Sequence, residues 1–151
     1  MSRPSIVGWV VRPWLAAAFV LALLAGCGGA DHSPAGVVRA WSKALNAGDN
    51  HAAADLFAPG AQVIQGPVVI RLRTHADAIV WNAGLPCSGK IVALSTSGAT
   101  VTATFLLGDR PTSACDGPGH RATAVFRIRG GKIVLWHQVP DTAPPPPPPA
   151  V

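Results

Sequence analysis

The sequence predicts an α+β domain in which helices cover one face of a curved antiparallel sheet. Helix signals dominate residues 33–85, where N-cap residues precede apolar side chains spaced three and four positions apart. From residue 90 onward the period changes to two, and glycine-containing turns join four runs of alternating apolar and polar side chains. The predicted order is therefore two helices, a small hairpin, a third helix and four antiparallel strands.

The first two predicted helices begin at residues that favour the N-cap position. Ser33 precedes Pro34, and apolar residues at helical spacing follow until the chain reaches residues 46–48. Asp49 caps the second helix, which is predicted to end at the breaker pair of residues 59–60. The apolar stripe of this second helix consists of Ala52, Ala53, Leu56 and Phe57.

A hairpin and a third helix follow. Residues 62–65 and 68–73 are two short extended runs around a glycine–proline turn. Thr74 and Asp77 then resemble a capping box with aspartate in place of glutamate, which predicts a helix that ends before residue 86. The residues of this helix predicted to face inward are Ile79 and Val80.

Two hairpins make up the predicted C-terminal sheet. Residues 90–96 and 100–107 surround a turn at residues 97–98, and residues 120–129 and 132–139 surround a Gly-Gly turn. Apolar side chains at every second position are predicted to face the helices. In the two middle strands these side chains are Val101, Ala103, Phe105, Leu107, Ala122, Ala124, Phe126 and Ile128.

The N-terminal residues 1–26 have the order of an export signal, with two arginines before the apolar run of residues 14–26. The triplet Leu-Ala-Gly directly before Cys27 resembles the lipobox of bacterial lipoproteins, in which this cysteine becomes the lipid-modified first residue. An ordinary signal peptide needs no cysteine there, and the apolar run is shorter than the ~20 residues of a membrane-spanning helix. Cys27 is therefore predicted to carry the palmitate-type acyl chains that hold the protein on the outer face of the cell membrane or the periplasmic side of the envelope.

The rest of the chain divides into a tether at residues 27–32, one folded domain at residues 33–140 and a proline-rich, disordered tail at residues 141–151. Loss of the two signal-peptide arginines reduces the positive surplus from five charges to three. That surplus is too small to indicate nucleic acid, whereas it is compatible with anionic lipid headgroups. The membrane is therefore the expected partner.

Cys87 and Cys115 remain as an even pair in an exported chain, where disulfides persist. A hairpin that turns at residues 97–98 brings residues near 87 and 109 opposite each other, so Cys115 can fold back onto Cys87. Neither cysteine has CxxC spacing or an adjacent histidine, which are the signals of a redox or zinc site. A disulfide is predicted, and neither a metal nor a cofactor is expected.

Two parts of the chain follow a pattern known from one superfamily. The first part consists of Trp41, residues 44–49, residues 53–59 and Ala61, and the second of residues 131–136. Together they resemble the two opening helices and the last strand of the nuclear-transport-factor-2-like (NTF2-like, SnoaL-like) superfamily. The resemblance spans about residues 34–140 and implies a cone-shaped roll, with three helices packed on a curved antiparallel sheet around an apolar pocket. Members include enzymes, small-molecule binders and protein-interaction domains, so the resemblance does not define a function.

The resemblance does not carry the ketosteroid isomerase chemistry of this superfamily over to the chain. That branch has a general-base aspartate at the start of the first strand, and alignment on residues 61–63 puts Gln65 at this position. Glutamine cannot act as that base. The branch also uses a tyrosine of the first helix as an oxyanion donor, and this chain contains no tyrosine.

A different acid–base site is left open by the remaining titratable residues. His137 lies on the last predicted strand, and strict alternation turns it toward an apolar interior. The same face would hold Ile133, Leu135 and Val139. If the domain were an enzyme, the groups available to assist His137 would be Asp77 or His75 at the third helix and Asp55 on the second.

The expected function is that of a membrane-anchored binding or accessory module without catalytic residues, which takes a small apolar ligand or a protein partner. The alternative is a SnoaL-like isomerase, cyclase or hydrolase that uses His137 with Asp77 or Asp55. A homodimer is left open. The residues predicted to line a pocket, if one is open, are Trp41, Phe57, Phe105, Phe126, Trp136 and His137.

Overall fold

The computed structural model describes residues 31–140. The helices and strands in chain order are α1 (Pro34–Asn46), α2 (Asn50–Ala54), β1 (Phe57–Gln65), β2 (Val68–Leu72), α3 (His75–Gly84), β3 (Ser88–Ser97), β4 (Thr100–Gly108), β5 (Arg121–Arg129) and β6 (Lys132–Val139). The predicted signal peptide, Cys27 and the proline-rich tail lie outside the described residues. Within residues 31–140, none of the three helices has the length and apolar character needed to cross a lipid bilayer.

Six strands form one sheet in the order β2-β1-β6-β5-β4-β3. All neighbouring strands are antiparallel except β1 and β6, which pair in parallel. The helices cover one face of this curved sheet, so the predicted α+β fold, a cone-shaped roll of NTF2-like type, is confirmed. The predicted order of elements is confirmed as well.

Helix α1 has the predicted start and the predicted buried stripe. The Ser33 hydroxyl accepts a hydrogen bond from the Gly36 amide, and Pro34 occupies the first helical turn. The buried residues recur at three- and four-residue spacing because one face of the helix packs on the sheet. They are Val37, Val38, Trp41 and Leu45.

Helix α2 is shorter than predicted, because residues 57–60 belong to β1. The Asp49 carboxylate caps the helix through the Ala52 amide, as expected. Phe57, however, pairs with Ile133 in β6, and this tertiary pairing overrides the helical spacing of the apolar residues. The register between β1 and β6 shifts at residues 58–61, and this irregularity accommodates Pro59 and Gly60 within a strand.

Helix α3 has the predicted capping box, but its buried face differs from the prediction. Thr74 and Asp77 each accept a hydrogen bond from the other residue's backbone amide. Val80 is 71% exposed, so the prediction that it faces inward is wrong. The fully buried residues of the helix are instead Ala78 and Asn82, four residues apart on one face.

Strand β6 contains a register shift that reverses its alternation. Leu135 pairs with Arg127 of β5, and Ile133 pairs with the next residue, Ile128, so Val134 is an extra residue in the ladder. The inward side therefore carries Ile133 and Trp136, which are both buried. His137 lies on the outer side with its cross-strand partners, and the prediction that it shares the face of Ile133 is wrong. These partners are Ile64 and Val125.

The buried core lies between the helices and the inner face of the sheet. Among the described residues, the members of the core cluster run from Val37 to Trp136. Its centre is a set of aromatic rings in edge-to-face or tilted contact, with centroids 5.0 to 6.5 Å apart. These rings belong to Trp41, Phe57, Trp81, Phe105, Phe126 and Trp136.

Candidate ligand cavity

An apolar cavity of about 190 Å³ opens at one end of the core. Its wall consists of the C-terminal half of α1, the beginnings of β3 and β5, and the ends of β1, β4 and β6. A cavity of about 150 Å³ holds benzene, whereas drug-sized ligands occupy roughly 300 Å³ or more. The apolar side chains that dominate the wall are Trp41, Leu45, Leu85, Phe105, Leu107, Ala122, Ala124 and Trp136.

Small residues opposite large rings leave this space open. Ala122 of β5 is the cross-strand partner of Phe105, and Ala124 pairs with another alanine of β4. Gly89 of β3 has no side chain, and a Cβ atom there would come within 2.9 Å of the Cβ atom of Phe105. Ser42 and Asn46 of α1 both donate hydrogen bonds to the Gly89 carbonyl, which fixes the helix against the strand at the cavity wall.

A neutral amide pair borders the cavity where β1 and β6 end. Gln65 and Gln138 are register partners in these parallel strands. The Gln65 Nε2 group donates a hydrogen bond to Gln138 Oε1 over 2.9 Å. Gln65 thus lies at the cavity, at the position that the sequence resemblance assigns to a general base. Its amide offers hydrogen bonds but no proton-accepting group of useful basicity.

Asp116 is the single ionisable group among the described residues that line the cavity, and its side chain is exposed. Cys87 also lines the wall, but it is bonded to Cys115, so it has no thiol to titrate. The Ser42 hydroxyl donates to the Gly89 carbonyl, and the Ser88 hydroxyl donates to the carbonyls of residues 108 and 109. Among residues 31–140, the side chains that line the cavity therefore include no hydrogen-bonded acid–base pair.

The predicted disulfide between Cys87 and Cys115 is present in the structure. It joins the segment before β3 to the loop after β4, next to the cavity mouth. Together with Asp116, these cysteines are the one group of three metal-ligating side chains found within residues 31–140. Because zinc and similar ions bind thiolates, the disulfide removes the ligands that such a site would need.

The other predicted site residues are distributed over the molecule. Trp41 and Phe105 line the cavity, whereas Phe57 and Phe126 pack in the core without bordering it. The catalytic candidates lie elsewhere. Asp55 forms an exposed 2.8 Å pair with His75, Asp77 caps α3, and His137 is on the outer face of the sheet.

The structure therefore does not bring His137 together with Asp77 or Asp55 at the cavity. Among the hydrogen bonds of residues 31–140, none joins His137 to either aspartate. The sequence pattern does not predict the outward position of His137, because strict alternation of side chains does not account for the extra residue in β6.

Sequence reasoning also misses two polar groups. The Trp136 indole is only 6% exposed, and its Nε1–H has no acceptor among the described protein atoms. Arg110 is 5% exposed, and its guanidinium bonds to two segments of the chain, the end of α3 and the start of α2. The sequence marks Trp136 as a candidate pocket residue but not the unpaired state of its N–H group, and it does not mark Arg110, because the side-chain partners of Arg110 are 25 to 60 positions away.

No protein-family model and no curated protein matches the chain. Solved structures do share its fold. An NTF2-like protein of unknown function from Cytophaga hutchinsonii has a TM-score of 0.60 at 12% identity, over 71% of this chain and 88% of its own. A putative polyketide cyclase from Sinorhizobium meliloti has a TM-score of 0.58 at 17% identity, over 68% and 93% respectively.

A putative ketosteroid isomerase from Kribbella flavida has a TM-score of 0.57 at 18% identity, over 76% of this chain and 83% of its own. Identities this low show the fold and leave the activity open. The cavity, its lining and its polar groups are therefore the basis for a functional argument.

Proposed function

We propose that this protein is an exported, lipid-anchored cell-envelope protein whose NTF2-like domain binds a small apolar ligand without catalysing a reaction. In this proposal, residues 1–26 are a signal peptide, and the acylated Cys27 begins a tether that ends at residue 32. The domain follows at residues 33–140, and residues 141–151 form a tail. The observation that carries the binding function is the cavity itself, which is lined by aromatic and aliphatic side chains.

The lining residues favour binding over catalysis. General acid–base catalysis contributes about 10²- to 10⁴-fold and requires a titratable group positioned at the reacting atom. The cavity offers one exposed carboxylate, a neutral amide pair and a disulfide. A cavity that offers mainly apolar contacts and a few hydrogen-bonding sites can hold a ligand, but it does not transfer protons to or from that ligand.

An enzyme is the second candidate, because two solved neighbours are described as a putative polyketide cyclase and a putative ketosteroid isomerase. Asp116 is the group in the cavity wall that would exchange a proton in such a reaction. The wild-type domain should show no turnover above background on cyclase, isomerase or ester substrates. Turnover that disappears in Asp116→Asn, or in His137→Ala or Asp77→Asn, while the fold survives would establish the enzyme instead.

A cavity-filling substitution tests the binding function. Ala122→Phe puts a ring into the space beside Phe105, so uncharged monocyclic aromatic fragments that shift the indole resonances of the wild-type domain should no longer do so. Val125→Phe is the matched control, because Val125 is on the same strand but on the outer face, opposite His137. Fragments that bind Ala122→Phe as well as wild type would show that the cavity is not the binding site.

The anchor is tested separately with Cys27. Cells are fed an alkyne analogue of palmitate, and we expect the wild-type protein to be labelled, processed and recovered with membranes. Cys27→Ser should lose the label, whereas Cys115→Ser should keep it. A Cys27→Ser protein that is still processed and still sediments with membranes at the wild-type level would rule out lipidation as the anchor.

A further inference from the structure

Three arginines surround an open pocket on the face of the sheet that is turned away from the helices. Arg71 belongs to β2, whereas Arg127 and Arg129 belong to β5. The pocket has a volume of about 270 Å³ and a mainly polar wall. All three arginine side chains are exposed, so a solute or a surface has access to them. The other residues of this arginine pocket used below are Gln62, Val134 and Leu135, which are half-buried.

The strand register places these arginines together. Arg71 pairs with Gln62 of β1, and Arg127 pairs with Leu135 of β6. Gln62 and Leu135 pair with each other, so the four residues form one row across the sheet. Both neighbours of Gln62 along β1 are buried in the core, which puts this row on the outer face. Arg129 lies two positions after Arg127 and therefore on the same face of β5.

No carboxylate neutralises these three charges within residues 31–140. The ion pair found in that part of the chain joins His75 to Asp55. Arg71 Nη1 lies 3.5 Å from the carbonyl oxygen of Gly60, another lining residue, and this partner is neutral. Like charges around one pocket repel each other, and an anion that enters the pocket removes this repulsion.

The side chains of the arginine pocket fit a phosphate group with carbon atoms attached to it. A guanidinium group offers parallel N–H donors that match two oxygens of one phosphate. The Gln62 amide adds further hydrogen-bonding groups. Val134 and Leu135 add apolar surface, which inorganic phosphate would not use. A phospholipid headgroup combines both parts, because its phosphate is attached to a glycerol backbone.

The point at which the described chain begins favours the bilayer as the source of this phosphate. His32 lies beside the β5–β6 turn, within 3.6 Å of where a Gly131 Cβ atom would be. Arg129 is the last residue of β5 before the same turn. An acyl anchor at Cys27 is therefore joined by a few residues to the end of the sheet that carries the arginine pocket.

We propose that the arginine pocket binds the phosphate group of an anionic phospholipid and so holds the β5–β6 end of the outer sheet face against the membrane. This inference rests on the proposed anchor at Cys27 and adds a headgroup site to it. Each basic residue near an anionic membrane strengthens binding about fivefold. The three arginines together correspond to about a hundredfold change in the equilibrium constant for docking.

The acylated full chain in vesicles tests this site. Ala99→Cys carries a fluorophore next to β5, because the exposed Ala99 accepts a backbone hydrogen bond from the Ile128 amide. The vesicles consist of phosphatidylcholine, with or without phosphatidylglycerol, and their headgroups carry a nitroxide quencher. Phosphatidylglycerol should increase the quenching of the labelled wild-type protein, and high salt should remove this increase.

Two sets of variants distinguish the arginine pocket from general attraction between charges. Arg71→Gln/Arg127→Gln should lower the docking constant about 25-fold and lose most of the increase caused by phosphatidylglycerol. Arg39→Gln/Arg121→Gln removes the same charge from exposed positions outside the pocket and should keep the increase. Arg71→Lys/Arg127→Lys keeps the charge without the planar guanidinium groups, so it should recover only part of the increase.

The outcomes separate the headgroup site from the anchor. Quenching that does not respond to phosphatidylglycerol, or that falls equally in Arg39→Gln/Arg121→Gln, would overturn the site and leave the anchor standing. Full recovery by the two lysines would also overturn the site, because charge alone would then explain docking. A wild-type chain that neither kind of vesicle retains would overturn the anchor and the site together. A response to phosphatidylglycerol that is lost only in Arg71→Gln/Arg127→Gln supports the inference.

Discussion

Arg110 is a buried cation whose partners are neutral oxygens. Its Nη1 atom donates to the carbonyls of Asn82 and Leu85, each over 2.7 Å, and its Nη2 atom donates to Asn50 Oδ1. Burial lowers the pKa of this guanidinium, because water solvates the charge poorly there. The side chain satisfies two carbonyls at the end of α3 and joins that end to α2 and to the loop after β4.

Arg110→Met should therefore reduce the free energy of unfolding by about 1 to 3 kcal/mol, since it leaves buried carbonyl oxygens without donors. Arg110→Lys should recover only part of this, because one ammonium group cannot reproduce the planar fork. Urea unfolding measures both variants, with Arg121→Met, an exposed arginine of β5, as the control. An Arg110→Met midpoint equal to that of the control would contradict this role.

Residues that act through local contacts are predictable here, and residues that act through distant ones are not. Ser33, Asp49 and Thr74 cap their helices as predicted, because each contacts an amide three positions away. The partners of Arg110 are 25 to 60 positions away, and Trp41 meets Asn82 across 41. Sequence periodicity contains no information about such contacts.

Helix α3 begins with a charge-dependent cap. The Asp77 carboxylate accepts hydrogen bonds from the backbone amides of Thr74 and Arg73, each over 2.9 Å. The bond from Thr74 is the main reason that the pKa of Asp77 lies below its ordinary value. A carboxyl group of this kind stabilises the fold while it is ionised.

The stabilisation by Asp77 should be complete above the ordinary aspartate pKa of about 3.9 and disappear as the pH falls through the lower folded-state value. Asp77→Asn should lower the melting temperature at pH 7, and the difference from wild type should shrink on acidification below about pH 4. Thermal unfolding followed by circular dichroism over this pH range tests the prediction. Hydrogen bonds from Ser33 also lower the pKa of Asp31, but Asp31 is present in both proteins, so its contribution to the difference in melting temperature cancels. A pH-independent difference would show that the charge is irrelevant.

The element boundaries show where a one-dimensional pattern fails. The alternation of β5 is confirmed because that strand is paired on both sides without a shift over residues 123–127. In β6, one extra residue at position 134 exchanges the faces, so Trp136 takes the inward position that strict alternation assigns to His137. The wrong inward placement of His137 and the inward position of Trp136 therefore have the same cause, the extra residue at position 134.

The disulfide joins two elements that surround the cavity mouth. Cys87 and Cys115 are 28 positions apart, and a loop of that length corresponds to about 3 to 4 kcal/mol in the chain-entropy model. The double variant Cys87→Ala/Cys115→Ala should lose about this much free energy of unfolding in urea.

Intact-mass analysis after alkylation without reductant should find no free thiol in folded wild-type residues 31–140. Two labelled thiols would show that the bond does not form.

At the scale of the described residues, the N-terminal pair Asp31 and His32 and the cavity lie at opposite ends. His32 lies beside the β5–β6 turn, within 3.6 Å of where a Gly131 Cβ atom would be, and Asp31 packs over Gly36 at the start of α1. The cavity is lined by residues at the other ends of β5 and β6, including Ala122 and Gln138. The eight residues from Ala122 to the turn span about 26 Å at the usual rise of a strand.

If Cys27 carries the proposed anchor, this arrangement determines which end of the domain faces the bilayer. Asp31 is four positions after Cys27, and four residue steps reach at most about 14 Å when fully extended. The β5–β6 turn would then lie close to the bilayer, and the cavity mouth would face away from it. A ligand would then enter from the aqueous side of the envelope.

Depth-dependent quenching tests this orientation on one strand. A fluorophore is attached to Arg129→Cys, at the turn end of β5, or to His120→Cys, just before its other end; both side chains are exposed. In vesicles whose headgroups carry a nitroxide quencher, the acylated protein should be quenched more strongly at position 129 than at position 120, because about 30 Å of strand separates them. Cys27→Ser with the same labels should be quenched at neither position. Equal quenching of the two labels in the acylated protein would show that the domain does not hold its cavity away from the membrane.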